Sequence, residues 1–220
     1  MPATPAPPRL PGRFRAAVFD MDGLLLDTEP LWHDAERELF ERHGDTFSPA
    51  DMAASHGRAL TDTAVAYAAR LGLTAGEIEA EIGEIMLAHY IAGAPLHAGA
   101  LALVEGLAGR LAMAVASNTS ASLVRAALDA TGLGRWLAVV TSGLDLGRPK
   151  PAPDVYLAAC AALGVAPADA IAFEDSPMGV RSALDAGLFV VGVPERGDVD
   201  LAAAGAHVIL GSLEEVVLEA

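Results

Sequence analysis

Asp20-Met21-Asp22-Gly23 follows directly on the apolar run Ala16-Ala17-Val18-Phe19. A short apolar run ending in two carboxylates and a glycine reads as a buried strand with charge at its C-terminal tip. In open α/β sheets, ligands bind just outside such tips. Residues i and i+2 of a strand share a face, so two carboxylates there repel each other unless a cation or a proton sits between them. Donors that are all oxygen suit Mg²⁺. An EF-hand would need glycine at loop position six and glutamate at position twelve, whereas Gly23 is fourth and Leu31 twelfth from Asp20. The plain alternative is a solvated turn, since Asp and Gly are common turn formers.

Three more apolar runs end in polar residues. Ala112-Met113-Ala114-Val115-Ala116 leads into Ser117-Asn118-Thr119-Ser120 at the start of a helix. Hydroxyls and free N–H groups at a helix N-terminus make an anion site, although an ordinary N-cap accounts for the same residues. Ile171-Ala172-Phe173 ends in Glu174-Asp175-Ser176-Pro177. Proline suits a helix start, but capping does not call for two adjacent acids. Lys150, the single lysine among 14 basic residues, lies between prolines in Gly147-Arg148-Pro149-Lys150-Pro151. An ammonium is a compact point charge that approaches carboxylate and phosphoryl oxygens without the planar fork of a guanidinium. Together these segments place carboxylates, a hydroxyl and one ammonium on one edge of one sheet. Phosphoryl transfer uses such parts: cations to neutralise the transferring oxygens, an aspartate nucleophile that splits the reaction in two, and a second carboxyl group for proton transfer, worth ~10²–10⁴-fold.

The elements that must position these residues follow from periodicity. The first strand spans residues 15–19. Helices are expected at 31–43, 50–55, 60–71 and 76–92, where apolar residues recur at i, i+4 and i+8 (Leu31, Ala35, Leu39). Thereafter strands at 111–117, 137–141, 170–174, 188–193 and 207–210 alternate with helices at 99–109, 120–131, 153–163 and 177–186. Strands separated by helices call for βαβ units and a parallel sheet. The fold class is therefore α/β, a Rossmann-like parallel sheet with helices on both faces and an inserted all-helical cap. Residues 1–13 read as a disordered tail, 14–28 and 94–220 as the α/β core, and 29–93 as the cap.

Composition excludes other classes. The chain has 220 residues and a formal charge of −15, which argues against nucleic acid and anionic membrane surfaces. It also requires any phosphate site to be locally positive. Cys160 is the only cysteine, so no intramolecular disulfide forms and a reducing cytosol fits. The proline-rich start lacks the apolar region of a secretion signal. The most apolar stretch, 101–116, is broken by Glu105 and Arg110 and is no membrane span. A cytoplasmic protein, monomeric by default, is expected.

At these residues the chain resembles the haloacid dehalogenase-like superfamily, in its subgroup with an α-helical cap. That subgroup includes phosphoglycolate phosphatases, β-phosphoglucomutases and sugar-phosphate phosphatases. The likeness runs from Phe14 to Leu213 and rests on four motifs: Asp20 to Glu29, Ser117-Asn118, Lys150 to Asp154, and Glu174-Asp175-Ser176. It implies Asp20 as nucleophile and Asp22 as general acid/base. Mg²⁺ would be held by Asp20, the main-chain carbonyl of Asp22, and Asp175, with Glu174 close by. Ser117 and the Asn118 backbone would bind the phosphoryl group, and Lys150 would neutralise it and the nucleophile. Dehalogenating members lack the second aspartate, so Asp22 favours phosphoryl chemistry, and the activity implied is a Mg²⁺-dependent phosphatase acting on a small phosphorylated metabolite, a sugar phosphate or a phosphoglycolate-like compound. The mutase branch carries a histidine and a lysine in its cap where this chain aligns Trp32 and Met86. The run Thr28-Glu29-Pro30-Leu31-Trp32 looks like that of hexose-phosphate phosphatases. In the cap, Arg58 is a candidate second anion contact, because its fork suits phosphate or carboxylate. Trp32 either stacks on a sugar or packs the cap. His33, His89 and His97 show no metal-ligand spacing and read as structural or surface residues. The alternatives are a mutase and, from other classes, a receiver-like phospho-acceptor or a non-catalytic binding protein. A receiver is shorter and lacks the helical insert.

Overall fold

Ala16–Phe19 is buried on both faces, and this dictates the architecture: a strand with no exposed side must be covered by helices above and below. The computed structural model describes residues 9–10, 12–55, 60–195 and 199–218. Its elements are β1 (Arg9–Leu10), β2 (Ala16–Phe19), α1 (Glu29–Arg42), α2 (Pro49–Ser55), α3 (Leu60–Leu71), α4 (Ala75–Gly93), α5 (Ala100–Leu107), β3 (Ala112–Ser117), α6 (Ala121–Thr131), β4 (Val139–Ser142), α7 (Asp154–Leu163), β5 (Ala170–Glu174), α8 (Pro177–Asp185), β6 (Phe189–Gly192), β7 (Val208–Ile209) and β8 (Val217–Leu218). Six strands form one parallel sheet in the order β4-β3-β2-β5-β6-β7.

Period-two alternation divides the core in two. Ala17, Phe19, Met113, Val115, Ile171 and Phe173 face one side, where α5 and α6 pack and the apolar contacts run on into α1, α3 and α4. The rings of Phe19 and Phe173 stack there, 5.1 Å between centroids. Ala16, Val18, Ala114, Ala116, Ala170 and Ala172 face the other side, against Val155, Tyr156, Ala159 and Cys160 of α7 and Val180 and Ala183 of α8. Small residues on this second face let α7 lie close to the sheet. Cys160 is a buried free thiol.

The four helices α1–α4 lie between β2 and α5, and the chain leaves and returns side by side. Leu26 bridges Leu96, and Asp27 N–H donates to the Pro95 carbonyl at 3.0 Å. Within this module, Ser55 Oγ (2.9 Å) and Tyr67 OH (3.2 Å) both donate to the buried Glu36 carboxylate, which ties α1, α2 and α3 together. A capping box between Thr74 and Glu77 starts α4, and α4 also packs against α6 of the core.

The elements expected from periodicity are present, with boundaries moved by two residues or fewer. One expectation fails. The segment 1–13 reads as a disordered tail, yet Arg9–Leu10 pairs in parallel with Val217–Leu218. Two-residue strands carry no periodic signal. Residues 1–8 and 11 lie outside the described residues. Among those described, no helix is long and apolar enough to cross a membrane.

Candidate active site

Strand order brings the polar tips together. β2 lies between β3 and β5, and Phe19 pairs in register with Val115 and with Phe173. Asp20 and Glu174 therefore leave the sheet at one level, with Ser117 one residue further along β3, and Asp20 N–H donates to the Phe173 carbonyl at 3.1 Å. The chain has crossed from one side of β2 to the other at this point, which is where open α/β sheets place their ligands.

Lys150 is the central cation. Its Nζ donates to Asp20 Oδ1 at 2.5 Å and to Glu174 Oε1 at 2.6 Å, and lies 5.1 Å from the centroid of the Tyr156 ring. Tyr156 OH, from α7, donates to the same Glu174 oxygen at 2.5 Å, and Ser176 Oγ donates to Oε2 at 3.3 Å. Burial alone would depress the Lys150 ammonium, but attraction from Asp20 and Glu174 outweighs it and pushes the pKa up. The lysine stays charged. Its loop is held by Asn118, whose Oδ1 accepts from Lys150 N–H at 2.7 Å and whose Nδ2 donates to the Lys150 carbonyl at 3.3 Å. That side-chain role is not visible in the sequence.

The ligating oxygens of Asp20, Glu174 and Asp175 all lie within 4.8 Å of one another. Burial, then the Glu174 and Asp22 charges, push the Asp20 carboxyl up to about 7, against the pull of Lys150. Burial, then Asp20 and Glu174, push Asp175 up as well. Three carboxylates facing one ammonium leave an excess of negative charge, so these side chains by themselves do not form the locally positive site that a phosphate requires. The donor set is all oxygen, which fits a hard divalent cation. Two glycines make room for the carboxylates themselves. A side chain on Gly23, at φ +80, would place its Cβ 2.3 Å from Asp175 Oδ2. One on Gly179 would place it 1.8 Å from Glu174 Oε2.

Asp22 sits apart from this cluster and is held by five donors. Its Oδ1 accepts from Thr28 Oγ1 (2.8 Å), Tyr90 OH (3.0 Å) and Trp32 Nε1 (3.4 Å). Its Oδ2 accepts from Thr119 Oγ1 (2.8 Å) and Ser117 Oγ (3.3 Å). Thr28 is the N-cap residue of α1, yet its side chain makes no cap hydrogen bond because the hydroxyl goes to Asp22.

The structure thus gathers Asp20, Asp22, Lys150, Ser117, Asn118, Glu174 and Asp175 at one sheet edge. Arg58 lies outside the described residues, with its neighbours 56–59. Trp32 neither stands free for a ligand nor merely packs, since its indole N–H is directed to Asp22. Met86 is buried. His97, read as structural or surface, has a ligating nitrogen within 4.8 Å of carboxylate oxygens of Asp27 and Glu195. The three are far apart in the chain, so spacing could not reveal them.

A family model described as haloacid dehalogenase-like hydrolase matches residues 14–187. The chain belongs to that family. It is a hydrolase. Validoxylamine A 7'-phosphate phosphatase of Streptomyces hygroscopicus subsp. limoneus is 33% identical over 208 residues, covering 92% of this chain and 96% of the relative. A β-phosphoglucomutase of Mycobacterium bovis is 32% identical, covering 94% and 93%. Among solved structures, CbbY from Rhodobacter sphaeroides in complex with phosphate superposes with a TM-score of 0.83 at 27% identity, covering 92% of this chain and 96% of that one.

Proposed function

We propose that this phosphoric monoester hydrolase removes the phosphoryl group from a small phosphorylated sugar or polyol through an aspartyl-phosphate formed on Asp20. The observation that carries the reading is the buried Lys150, charged and bonded at once to Asp20 and Glu174. An ammonium so placed pulls the nucleophile toward its ionised form, against the opposing effect of burial, and lowers the charge that an incoming phosphate dianion meets.

Ser117, with the Asn118 main chain, binds the phosphoryl oxygens at the start of α6. A carboxylate oxygen of Asp20 bonds to phosphorus as the ester P–O bond breaks, and the leaving oxygen takes a proton from Asp22. Asp22 then takes a proton from water, whose oxygen bonds to phosphorus as the Asp20–phosphorus bond breaks. Asp20, Asp175 and the Asp22 main-chain carbonyl, with Glu174 alongside, would hold Mg²⁺. Bound there, the ion supplies charge neutralisation at the phosphoryl oxygens. Residues 29–93 act as the cap that shields the site, and Arg58 is its candidate anion contact.

The substrate class rests on the named activities of the relatives, validoxylamine A 7'-phosphate phosphatase and β-phosphoglucomutase. Hydrolysis is preferred to mutase chemistry because the positions aligned with the mutase cations hold Trp32, which donates to Asp22, and the buried Met86. Neither retains a bound sugar phosphate for a second transfer. The test is a panel of sugar phosphates, polyol phosphates and phosphoglycolate, assayed for phosphate release with Mg²⁺ and with EDTA. The reading expects Mg²⁺-dependent release and no sugar-phosphate isomer from glucose 1-phosphate. A phosphorylated protein that never turns over would replace it with the receiver-like alternative.

A further inference from the structure

Resting on the phosphatase reading, we propose that Tyr90 and Trp32 are positioning residues that fix Oδ1 of Asp22, so that Oδ2 is the oxygen that exchanges protons with the reacting ester. The donors to Asp22 divide by origin. Oδ1 is held by Thr28, where the chain enters α1, by Trp32 on α1 and by Tyr90 on α4. Oδ2 is held by Ser117 and Thr119, both from the segment after β3 that faces the phosphoryl site. One carboxylate is thus shared between the inserted helices and the sheet edge, one oxygen to each.

Chemistry assigns the two oxygens different work. A protonated carboxyl has one O–H, which needs an acceptor. An indole N–H only donates, so Trp32 cannot accept from Oδ1. Tyr90 is fully buried, and burial together with the Asp22 charge pushes its pKa well up, so it remains a neutral phenol. Its hydroxyl and that of Thr28 could also accept, but with the indole they bring three donors to Oδ1 against two at Oδ2, and the indole can never accept, which favours an unprotonated oxygen at Oδ1. The hydroxyls of Ser117 and Thr119 can rotate and accept, and Ser117 is also the group that an arriving phosphoryl oxygen engages. Oδ2 is therefore the oxygen that carries the proton. It gives the proton to the leaving oxygen as the P–O ester bond breaks with its electron pair, and it receives one from the water that attacks the phosphoenzyme. Because two of the three Oδ1 donors ride on α1 and α4, the placement of those helices sets the aim of Asp22.

The test compares leaving groups. Tyr90→Phe and Trp32→Phe retain an aromatic ring and remove one donor each. The parameter is kcat/KM, which covers the steps through departure of the leaving group, measured with Mg²⁺ on p-nitrophenyl phosphate and on a primary alkyl phosphate. p-Nitrophenolate departs without a proton, whereas an alkoxide needs one. Losing a hydrogen bond that aims a proton donor should raise the aryl-to-alkyl ratio of kcat/KM by about tenfold or more for Tyr90→Phe. A smaller rise is expected for Trp32→Phe, whose bond is longer at 3.4 Å. A buried phenol that merely fills space would change both substrates alike. Equal losses, or an unchanged ratio in both variants, overturn the assignment. The underlying reading is checked separately by Asp20→Asn. Activity that survives in that variant rejects the phosphoenzyme itself, while a uniform Tyr90→Phe effect alongside an inactive Asp20→Asn removes only the positioning role of Tyr90 and Trp32.

Discussion

Replacing Lys150 by methionine keeps the shape of the side chain and removes its charge. The ammonium contacts Asp20 at 2.5 Å and Glu174 at 2.6 Å, and only 6% of the residue is exposed. At an effective dielectric of about 20, each contact is worth roughly 6 kcal/mol of gross attraction, much of it offset by the desolvation of the charges. Removing one partner of a buried pair costs about 3–5 kcal/mol, because the partner charge is left uncompensated. Lys150→Met should therefore lose about that amount of unfolding free energy at pH 8 in EDTA, read from urea unfolding curves. The pH dependence has a definite sign. The Asp20 carboxyl is pushed up to about 7 from its ordinary 3.8 by burial, ahead of the Glu174 and Asp22 charges. Protonation of Asp20 thus favours the folded state, a contribution complete below about pH 4 and lost as pH rises through about 7. Without the lysine, ionised Asp20 becomes costlier still, so the deficit of Lys150→Met should shrink from pH 8 to pH 5. Saturating Mg²⁺ should recover part of it at pH 8. A deficit below about 1 kcal/mol at pH 8, or one that grows on acidification, would refute the claim that this ammonium neutralises the acidic cluster. Lys150→Arg tests geometry instead of charge. A guanidinium fork does not fit a slot bounded by Asp20, Glu174 and the Tyr156 ring, so most of the phosphatase activity should be lost despite the retained charge, and near-native rates would contradict the point-charge argument.

Asp20→Asn should abolish Mg²⁺-dependent phosphate release and the acid-stable protein label that a phosphorylated substrate leaves, with circular dichroism unchanged. Turnover in that variant would exclude Asp20 as nucleophile. Gly179→Ala should cost about 1–3 kcal/mol, because its Cβ would fall 1.8 Å from Glu174 Oε2 and the surroundings are close-packed. The same variant should bind Mg²⁺ more weakly by calorimetry, and unchanged stability and affinity together would show that Glu174 moves freely. In the wild type, Mg²⁺ must displace the proton on Asp20. Its apparent affinity should therefore rise by up to about tenfold per pH unit between pH 5 and 7 and level off above. Calorimetry in two buffers of different ionisation enthalpy measures the released proton, and a pH-independent affinity would count against metal binding at Asp20.

The groups gathered at the candidate site were legible because each breaks a local rule. Asp20, Ser117 and Glu174 end apolar runs at places where a soluble strand needs only a turn, and Lys150 stands alone in a chain that otherwise uses arginine. What brings them to one point is the strand order, with β2 between β3 and β5. Alternation of strands and helices implies a parallel sheet but leaves that order open. The residues that aim the site were not legible, and for a common reason. Tyr90, Trp32 and Tyr156 occupy inward positions on helices that bury apolar residues, where an aromatic ring reads as packing. A buried phenol or half-buried indole reads as core until its polar atom is located, and in this protein each polar atom ends on a carboxylate of the candidate site. Thr28 shows the opposite disguise, a residue of the right type for an N-cap that directs its hydroxyl to Asp22. Sequences agree with local propensity except where function overrides it. The helical insert follows the same logic. Its amphipathic pattern is satisfied by packing of α1, α3 and α4 on one another, yet Trp32 and Tyr90 point their N–H and O–H groups out of that core toward the sheet. A helical module that served only to cover the site would need no such donors. On the proposed reading, their convergence on one oxygen of Asp22 makes the insert part of the proton-transfer apparatus, and variants at Tyr90 should therefore change the chemistry more than the substrate affinity.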